Sequence, residues 1–567
     1  MFSYPVKQAY DKEAPEPSVD VLREYAKALS DFLSVHSNLF DFSTHTNRHD
    51  GKPEKAAHFI QSHHWESRVP DDWRSWFDSI DASDDNALVA AVTAVQCADT
   101  EKVISLKAPP SLVEFLETIR SLAQPWDCLG VSDDIHTADS RTAAALYNEG
   151  PCGAAVSAAD AAIALMPQKK KYETRVLGRD ILDLVPRSKT ETIVDIGAGK
   201  GYLTQWVAAQ AKAEGKDLRV VAVEGSETVL AGYRTRQTAL TAIAEKRQRK
   251  ETRGEGGVVE AIANVKAVSA VVKAGDGGDA FFSRISAEHE RVMLVGLHTC
   301  GDLGSAVLRL FATDDRCGAV DVVGCCYHHL TEGVSTSDDD VKGFPLSEWV
   351  LEKIPSKKLF ILDSGRHLGA NALPQTLTSG DVIRSARMQS YRTALEAFIA
   401  HCVYGDTESG REEDPQPHHI GNMRGRYSEG PFGVYCVRAI GQMLRKLDEY
   451  DQVTQEYKEM LREAFKDQNF SNETLENPLA QRAERFYESL GPAGKAHILP
   501  RVAYFSSLRN AVGPVIEAFV ICDRLLFVAE ECKKNGSELE ILHATRLFRP
   551  EVSPRSFVIR AIKKQKE

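Results

Sequence analysis

The chain has 567 residues, which at about 150 residues per domain allows three or four domains, or one domain with large additions. Apolar residues make up 43% and charged residues 26%, an ordinary globular usage that excludes a fibrous repeat or wholesale disorder. The formal net charge of −12 excludes a generic polyanion binder, although it leaves a local basic groove open.

The cysteines and the apolar runs indicate the compartment. There are 11 cysteines and none forms a C-x-x-C pair, which is typical of reduced thiols inside the cell. The N-terminus lacks a charged-then-apolar export pattern. No apolar run approaches the roughly 18 residues that span a bilayer. We therefore expect a cytoplasmic protein, with the nucleus as the alternative, and no membrane contact.

Residues 1–160 carry apolar side chains at helical spacing and predict a helical N-terminal region. Trp73, Trp76 and Phe77 are spaced for one helical face, which favours core packing. These N-terminal helices are also the candidate surface for a protein partner.

The pattern changes after residue 160, where strand-like runs alternate with helix-length segments. Such runs, rich in Val and Ile, predict a parallel sheet covered on both faces. The predicted strands are 192–199, 218–225, 265–275, 292–300 and 318–329. The prediction is a Rossmann-like α/β core over residues 161–335, of the seven-strand type.

The C-terminal half returns to helical periodicity. Residues 336–500 are predicted to be a mainly helical insertion, and residues 501–567 a helix followed by a hairpin. The hairpin, 541–563, is expected to supply the antiparallel final strands of the core sheet. The core would then be one domain built from two sequence blocks.

The sharpest motif is the glycine loop from Asp195 to Gly201, which follows a predicted buried strand and precedes a predicted helix. Alternating glycines let the backbone turn tightly and approach a ligand, and the helix N-terminus offers amide donors. Lys200 is followed by Gly201 and not by Ser or Thr, which excludes a phosphate-binding P-loop. The third glycine comes one residue early for a dinucleotide fingerprint.

The loop closely resembles the first motif of methyltransferases that use S-adenosyl-L-methionine. That resemblance implies a cofactor site formed by Asp195, Gly197, Ala198, Gly199 and Gly201.

Two further acids follow the next two predicted strands. Glu224 ends one strand, where a carboxylate can accept both ribose hydroxyls of the cofactor, by the same logic as in dinucleotide sites. Asp276 could lie beside the adenine amine or simply belong to a turn. Both are predicted cofactor-binding residues.

A second constellation follows the two remaining core strands, and its chemistry-bearing side chains are His298, Cys300, Cys325, Cys326, His328 and His329. Ligands lie at the carboxyl ends of strands in such sheets, so these residues should share an edge with the glycine loop. We predict a polar rim with His298, His328 and Cys325 as catalytic residues, a histidine orienting substrate or acting as base.

A zinc site is the alternative for this constellation, because every one of these side chains is a zinc-ligand type. Adjacent cysteines on a strand are expected to point to opposite faces, which would keep Cys325 and Cys326 apart. The usual C-x2–4-C spacing is also missing. The prediction is therefore a rim without metal.

Several segments together resemble the eukaryotic methyltransferase-like family formerly labelled ribosomal RNA adenine dimethylase domain-containing. The matching segments are MPQKKKYE (166–173), VDIGAGKGYLT (194–204), GLHTCGDLG (296–304), CCYHHLTE (325–332), GFPLS (343–347), EAFVICDRLLF and VSPRS. The histidine–cysteine elements also partly resemble those of transfer RNA ribose 2′-O-methyltransferases, although Thr299 and Tyr327 depart from that pattern.

These resemblances imply a methyltransferase that uses S-adenosyl-L-methionine and acts on RNA. The acidic charge and the long helical additions favour a protein substrate instead, so both acceptor classes stay open. Adenine methylation usually relies on an [Asn/Asp/Ser]-Pro-Pro-[Tyr/Phe] tetrad, and residues 298–301 have neither proline nor aromatic residue. A non-catalytic binding module is the remaining alternative. Lys169 and Lys170 could contact a nucleic-acid phosphate or be solvated, and solvation is the expectation.

Overall fold

A computed structural model describes most of the chain. The described residues are 18–40, 64–81, 84–123, 162–248, 256–272, 278–286, 291–333, 342–354, 362–370, 379–405, 429–449, 454–490, 495–548, 552–553 and 555–565. The chain forms two compact units. The first, the sheet unit, comprises residues 1–31, 122–360 and 517–567, and the second, the helical unit, comprises 32–121 and 361–516.

The sheet unit contains seven strands. They are β1 (Thr192–Ile196), β2 (Arg219–Glu224), β3 (Lys266–Ser269), β4 (Val292–Cys300), β5 (Cys317–Cys325), β6 (Leu539–Arg546) and β7 (Phe557–Lys563). Their order is β3-β2-β1-β4-β5-β7-β6. β1 to β5 pair in parallel, whereas β7 is antiparallel to both β5 and β6.

The predicted fold class is therefore confirmed as a Rossmann-like α/β sheet of seven strands. The C-terminal hairpin completes the sheet, as predicted, because β7 pairs with β5. Every residue of β1 and β5 is buried, including the polar Thr192, Asp195 and Asp321. Burial on both faces is typical of parallel strands. The parallel strands place their carboxyl ends at one edge.

Helices account for most of the remaining structure. They are α1 (Val19–Val35), α2 (His64–Arg68), α3 (Asp71–Asp78), α4 (Asp85–Gln96), α5 (Thr100–Ser105), α6 (Pro110–Ala123), α7 (Gln168–Ser188), α8 (Tyr202–Ala213), α9 (Glu227–Gln248), α10 (Gly256–Ala263), α11 (Gly278–Ile285), α12 (Asp302–Thr313), α13 (Glu348–Lys353), α14 (Leu362–Gly369), α15 (Ser379–Tyr404), α16 (Phe432–Arg445), α17 (Gln455–Ala464), α18 (Pro478–Ser489) and α19 (Lys495–Lys534).

The division into units follows contacts and not the predicted sequence blocks. The predicted N-terminal region, 1–160, contributes to both units, and so does the predicted insertion, 336–500. The helices of residues 32–121 belong with those of residues 361–516. The strands of the sheet come from two sequence blocks, because the C-terminal hairpin pairs with β5.

Aromatic side chains form much of the core of the helical unit. Trp73, Trp76 and Phe77 are all buried, as their helical spacing predicts. The ring of Phe77 stacks on Tyr504 with centroids 4.4 Å apart, and Trp73 packs on Phe115 at 4.9 Å. Such aromatic pairs stabilise the folded state by more than the burial of their surface area alone.

The predicted strand 265–275 is shorter in the structure, at Lys266–Ser269. Two further predicted strands end early because of backbone turns at the site. β1 ends at Ile196 because Gly197 has a φ of +71°, which takes the backbone out of the extended region. β5 ends at Cys325 because Cys326 is in the left-handed region, with φ 52° and ψ 49°. Both departures lie at the sheet edge that carries the candidate site.

Candidate functional site

The glycine loop leaves the carboxyl end of β1 and is held against the neighbouring strand. The backbone N–H groups of Gly197 and Ala198 both donate to the carbonyl of Val223, at 2.9 and 3.0 Å. Gly197, Gly199 and Gly201 all have positive φ values, 71°, 57° and 71°. Gly201 immediately precedes α8, so the first amides of that helix follow the loop.

Two of these glycines serve different purposes. A Cβ on Gly201 would overlap the ring of Tyr233, so this position must be glycine for packing as well as for backbone conformation. Among the described residues, a Cβ on Gly199 would meet nothing nearer than the Gly197 carbonyl oxygen, at 3.9 Å. Gly199 therefore faces open space that a ligand can occupy.

Glu224 ties the loop to the end of β2. One carboxylate oxygen accepts from the N–H of Gly199 at 3.0 Å, and the other accepts from the N–H of Ser226 at 2.9 Å. A carboxylate has about four acceptor positions, so capacity for two hydroxyl donors remains. This half-buried carboxylate lies where the sequence predicts the ribose-binding acid.

Asp195 lies behind the loop. It is 2% exposed and accepts a hydrogen bond from the hydroxyl of Thr204, which connects β1 to α8. Burial raises the pKa of Asp195 to about 6, although hydrogen bonds from Thr204 oppose that shift. Asp195 thus contacts the loop's supporting helix. Asp276, the other predicted acid, lies outside the described residues.

His298 lies near the carboxyl end of β4, in a cluster with two residues of α7. We call Lys170, Glu173 and His298 the His298 cluster. Lys170 donates to Oε2 of Glu173 at 2.8 Å, and Nε2 of His298 lies 3.3 Å from the same oxygen. Lys170 also contacts His298 Nε2 directly. The other Glu173 oxygen accepts from the hydroxyl of Ser553 at 2.7 Å.

Glu173 is the buried anion of this cluster, with a fully buried side chain. Burial alone would raise its pKa, but the hydrogen bonds from His298 and Lys170 outweigh that effect and lower the pKa to about 2. Glu173 is therefore ionised at neutral pH. It fixes the position of His298 at the rim.

The expectation that Lys170 is solvated is wrong, because it pairs with a buried carboxylate. The sequence interpretation also missed Glu173. Its signal was the spacing of Lys169 and Lys170, four and three residues before it on one helix, which brings the charges together. Nothing in the sequence near Glu173 indicates that its other partner is His298 on β4.

We expect Glu173→Gln to lower the free energy of unfolding by about 3 kcal/mol at pH 7, since the pKa is lowered by roughly two and a half units at 1.36 kcal/mol each. This stability is present above pH 4.5 and is lost as the pH falls towards 2. Denaturant titrations between pH 4.5 and 2 should show that the free energy of unfolding falls less with decreasing pH in the variant than in the parent protein.

The matched control is Glu538→Gln, which removes an exposed carboxylate paired with Lys564 at 3.1 Å. Exposed pairs contribute about 0–1 kcal/mol, so this variant should remain close to the parent protein. Equal losses in the two variants would contradict the stabilising role of Glu173.

Three cysteines meet at the carboxyl ends of β4 and β5. Cys300 and Cys325 are neighbours in the strand register, with Sγ atoms 3.0 Å apart. The Sγ atoms of Cys300, Cys325 and Cys326 all lie within 4.8 Å of one another. The expectation that adjacent cysteines point apart is wrong here, because the strand ends at Cys325 and the left-handed Cys326 turns its side chain back.

The thiols of this group differ in acidity. The contact with Cys325 lowers the pKa of Cys300 to about 6, against the effect of burial. The same contact, together with burial, raises the pKa of Cys325, which is 1% exposed. His328 lies on the 3-10 turn that follows, with its ring centroid 4.1 Å from that of His329.

The structure thus brings His298 together with Lys170 and Glu173, and Cys325 together with Cys300 and Cys326. His328 lies beside His329 on the turn after β5. The glycine loop and Glu224 form a third group at the same sheet edge, since β1, β2, β4 and β5 are parallel.

Comparison with known proteins finds similarity to methyltransferases. Residues 169–333 match the model of a methyltransferase domain family. The curated relatives include two proteins named probable methyltransferase-like protein 25. The human one is 25% identical over 280 residues, 49% of this chain and 38% of the relative, and the mouse one is 26% identical over 281 residues with the same coverage.

The match covers less than two fifths of the length of those relatives. Among solved structures, coclaurine N-methyltransferase bound to N-methylheliamine and SAH aligns with 76% of this chain and 94% of its own, at 12% identity and a TM-score of 0.17. The order of the seven strands by itself defines the fold class. Across the part of the chain that the structure describes, no helix combines the length and apolar character needed to cross a bilayer.

Proposed function

We propose that this protein is a methyltransferase that uses S-adenosyl-L-methionine and transfers its methyl group to an RNA or protein acceptor. The methyltransferase-domain match over residues 169–333 supports the reaction class. The observation that carries the cofactor assignment is the bond between Gly199 and Glu224, which joins a glycine loop with open space before it to a carboxylate on the next strand.

The residues present fit the cofactor. A ligand can approach the backbone closely at Gly199, because open space lies in front of it. The N-terminus of the helix after Gly201 offers amide donors. Glu224 has acceptor capacity for the two ribose hydroxyls. Asp195 supports the loop through Thr204. When bound, S-adenosyl-L-methionine supplies a methyl group already activated by its sulfonium.

The protein's remaining task is to align and desolvate an acceptor, which can contribute about 7–11 kcal/mol to lowering the barrier. His298 lies at the carboxyl end of β4 and is held by Glu173. We assign it the role of accepting or steering the acceptor's proton. His328 and Cys325 would line the rest of this rim, on the turn after β5 and at its end.

The cofactor assignment predicts that Glu224→Gln binds S-adenosyl-L-methionine about 10- to 100-fold more weakly. Hydrogen bonds to charged groups contribute about 1.5–3 kcal/mol, and the amide would also oppose one of the two N–H donors with an N–H of its own. Isothermal titration calorimetry measures this change. Glu245→Gln, which neutralises an exposed residue towards the C-terminus of α9, is the control and should bind normally.

The acceptor class is tested by transfer of a labelled methyl group from S-adenosyl-L-methionine into cell lysate, with RNase and protease treatment of parallel samples. Label lost on RNase treatment identifies RNA, and label lost on protease treatment identifies protein. Cofactor binding without label in either fraction would contradict catalysis and favour the binding module. We also propose a cytoplasmic or nuclear location, which cell fractionation tests. We propose a protein partner for the N-terminal helices, which affinity capture tests.

A further inference from the structure

The three cysteines at the ends of β4 and β5 form a compact group of soft ligand atoms. The register pairs Cys300 with Cys325, and the N–H of Gly301 donates to the Cys325 carbonyl at 3.2 Å, which holds the two strand ends together. The left-handed Cys326 then places a third Sγ within 4.8 Å of the other two. The side chains of Cys300 and Cys325 at the strand ends and of Cys326 just after β5 therefore converge.

We propose that Cys300, Cys325 and Cys326 bind a zinc ion through three thiolates, with its fourth coordination position left open. Zinc–sulfur bonds of about 2.3 Å in a tetrahedron place sulfur atoms about 3.8 Å apart. The 3.0 Å separation of Cys300 and Cys325 and the 4.8 Å limit for the group bracket that value. Thiolates also select zinc and copper(I) over magnesium or calcium.

The fourth position follows from the composition of the group. In the described portion of the chain, no histidine, aspartate or glutamate joins the three cysteines within the same distance. A structural zinc site is closed by four protein ligands, whereas a site with three protein ligands takes water or a substrate atom. The ion would therefore be accessible to water or substrate at the sheet edge where the glycine loop follows β1.

Zinc binding is coupled to the release of protons from the cysteine thiols. Each thiol that coordinates releases its proton to solvent, so the ion and three thiolates together carry one negative charge. Arg555 provides positive charge that acts on Cys300 and favours this anionic state. The ion lies outside the glycine loop, so the proposal is independent of cofactor binding.

The test uses the full-length protein, reduced and stripped of metal with a chelator. Zinc is titrated in competition with a chromophoric chelator, and cobalt(II) is added separately to look for thiolate-to-metal charge-transfer absorption. We expect one zinc per chain. Each of Cys300→Ser, Cys325→Ser and Cys326→Ser should weaken binding more than 100-fold, beyond the roughly 10–100-fold typical of losing a ligand's hydrogen-bond partner.

Cys317→Ala is the matched control, because Cys317 lies at the opposite end of β5 and is fully buried. It should retain zinc binding. Circular dichroism and S-adenosyl-L-methionine titration of each variant separate loss of metal from loss of fold. A reduced wild-type protein that binds S-adenosyl-L-methionine but gives no charge-transfer absorption with cobalt would overturn the proposal, and so would zinc binding that survives Cys326→Ser.

Discussion

Gly201→Ala should destabilise the protein by about 2–5 kcal/mol and abolish cofactor binding. The residue has a φ of 71°, which costs an L-amino acid about 1–2 kcal/mol. Its new Cβ would also overlap the ring of Tyr233, and overpacking of that kind costs about 1–3 kcal/mol more. Tyr233 is fully buried and cannot swing into solvent.

Two other glycines separate these effects. Gly215 has the same φ of 71°, and no other part of the described structure lies within 4 Å of its Cβ position, so Gly215→Ala isolates the backbone strain. Gly199→Ala also introduces strain without a collision, at φ 57°. Urea unfolding of all three variants should give Gly201→Ala a clearly lower free energy of unfolding than the other two. Equal stability of Gly201→Ala and Gly215→Ala would show that Tyr233 accommodates the extra carbon.

The same variants divide stability from ligand binding. Gly199→Ala should fold, yet bind S-adenosyl-L-methionine at least about tenfold more weakly, because the new methyl group occupies the open space in front of the loop. Gly215→Ala should fold and bind normally. Unchanged affinity in Gly199→Ala would mean that the ligand does not approach the backbone at this point.

The sheet and its glycine loop were predictable because their signals are local. A run such as TIVDI, buried at every position, followed by alternating glycines, specifies a strand and then a turn within ten residues. The pairing of the C-terminal hairpin with β5 was also predictable, since two short strands at the chain's end need an open sheet edge. The predicted positions of the loop and of Glu224 agree with the contacts between them.

The rest of the site depends on information that sequence spacing does not carry. The His298 cluster joins residues 125 positions apart, and only their strand and helix placement makes them neighbours. The convergence of Cys325 and Cys326 depends on one residue leaving the extended region, which alternation along a strand cannot reveal. The division of the predicted N-terminal region between two units likewise follows from tertiary packing and not from composition.

His298→Ala should lower the rate of methyl transfer by about 10²–10⁴-fold, the range that general acid–base catalysis contributes, while leaving the affinity for S-adenosyl-L-methionine unchanged. The cofactor loop and Glu224 make their contacts without this side chain. The measurement is single-turnover transfer of labelled methyl into whichever lysate fraction, RNA or protein, accepts it, alongside calorimetry of cofactor binding.

A purely structural role for His298 would give a different pattern, because Glu173 and Lys170 both contact its Nε2. His298→Asn keeps a polar side chain that can bond to this pair but cannot take a proton. If His298 only supports the fold, the asparagine variant restores both stability and transfer relative to alanine. If His298 handles the acceptor's proton, asparagine restores stability while transfer stays as slow as in the alanine variant, since the buried Glu173 stays partnered but no base is left.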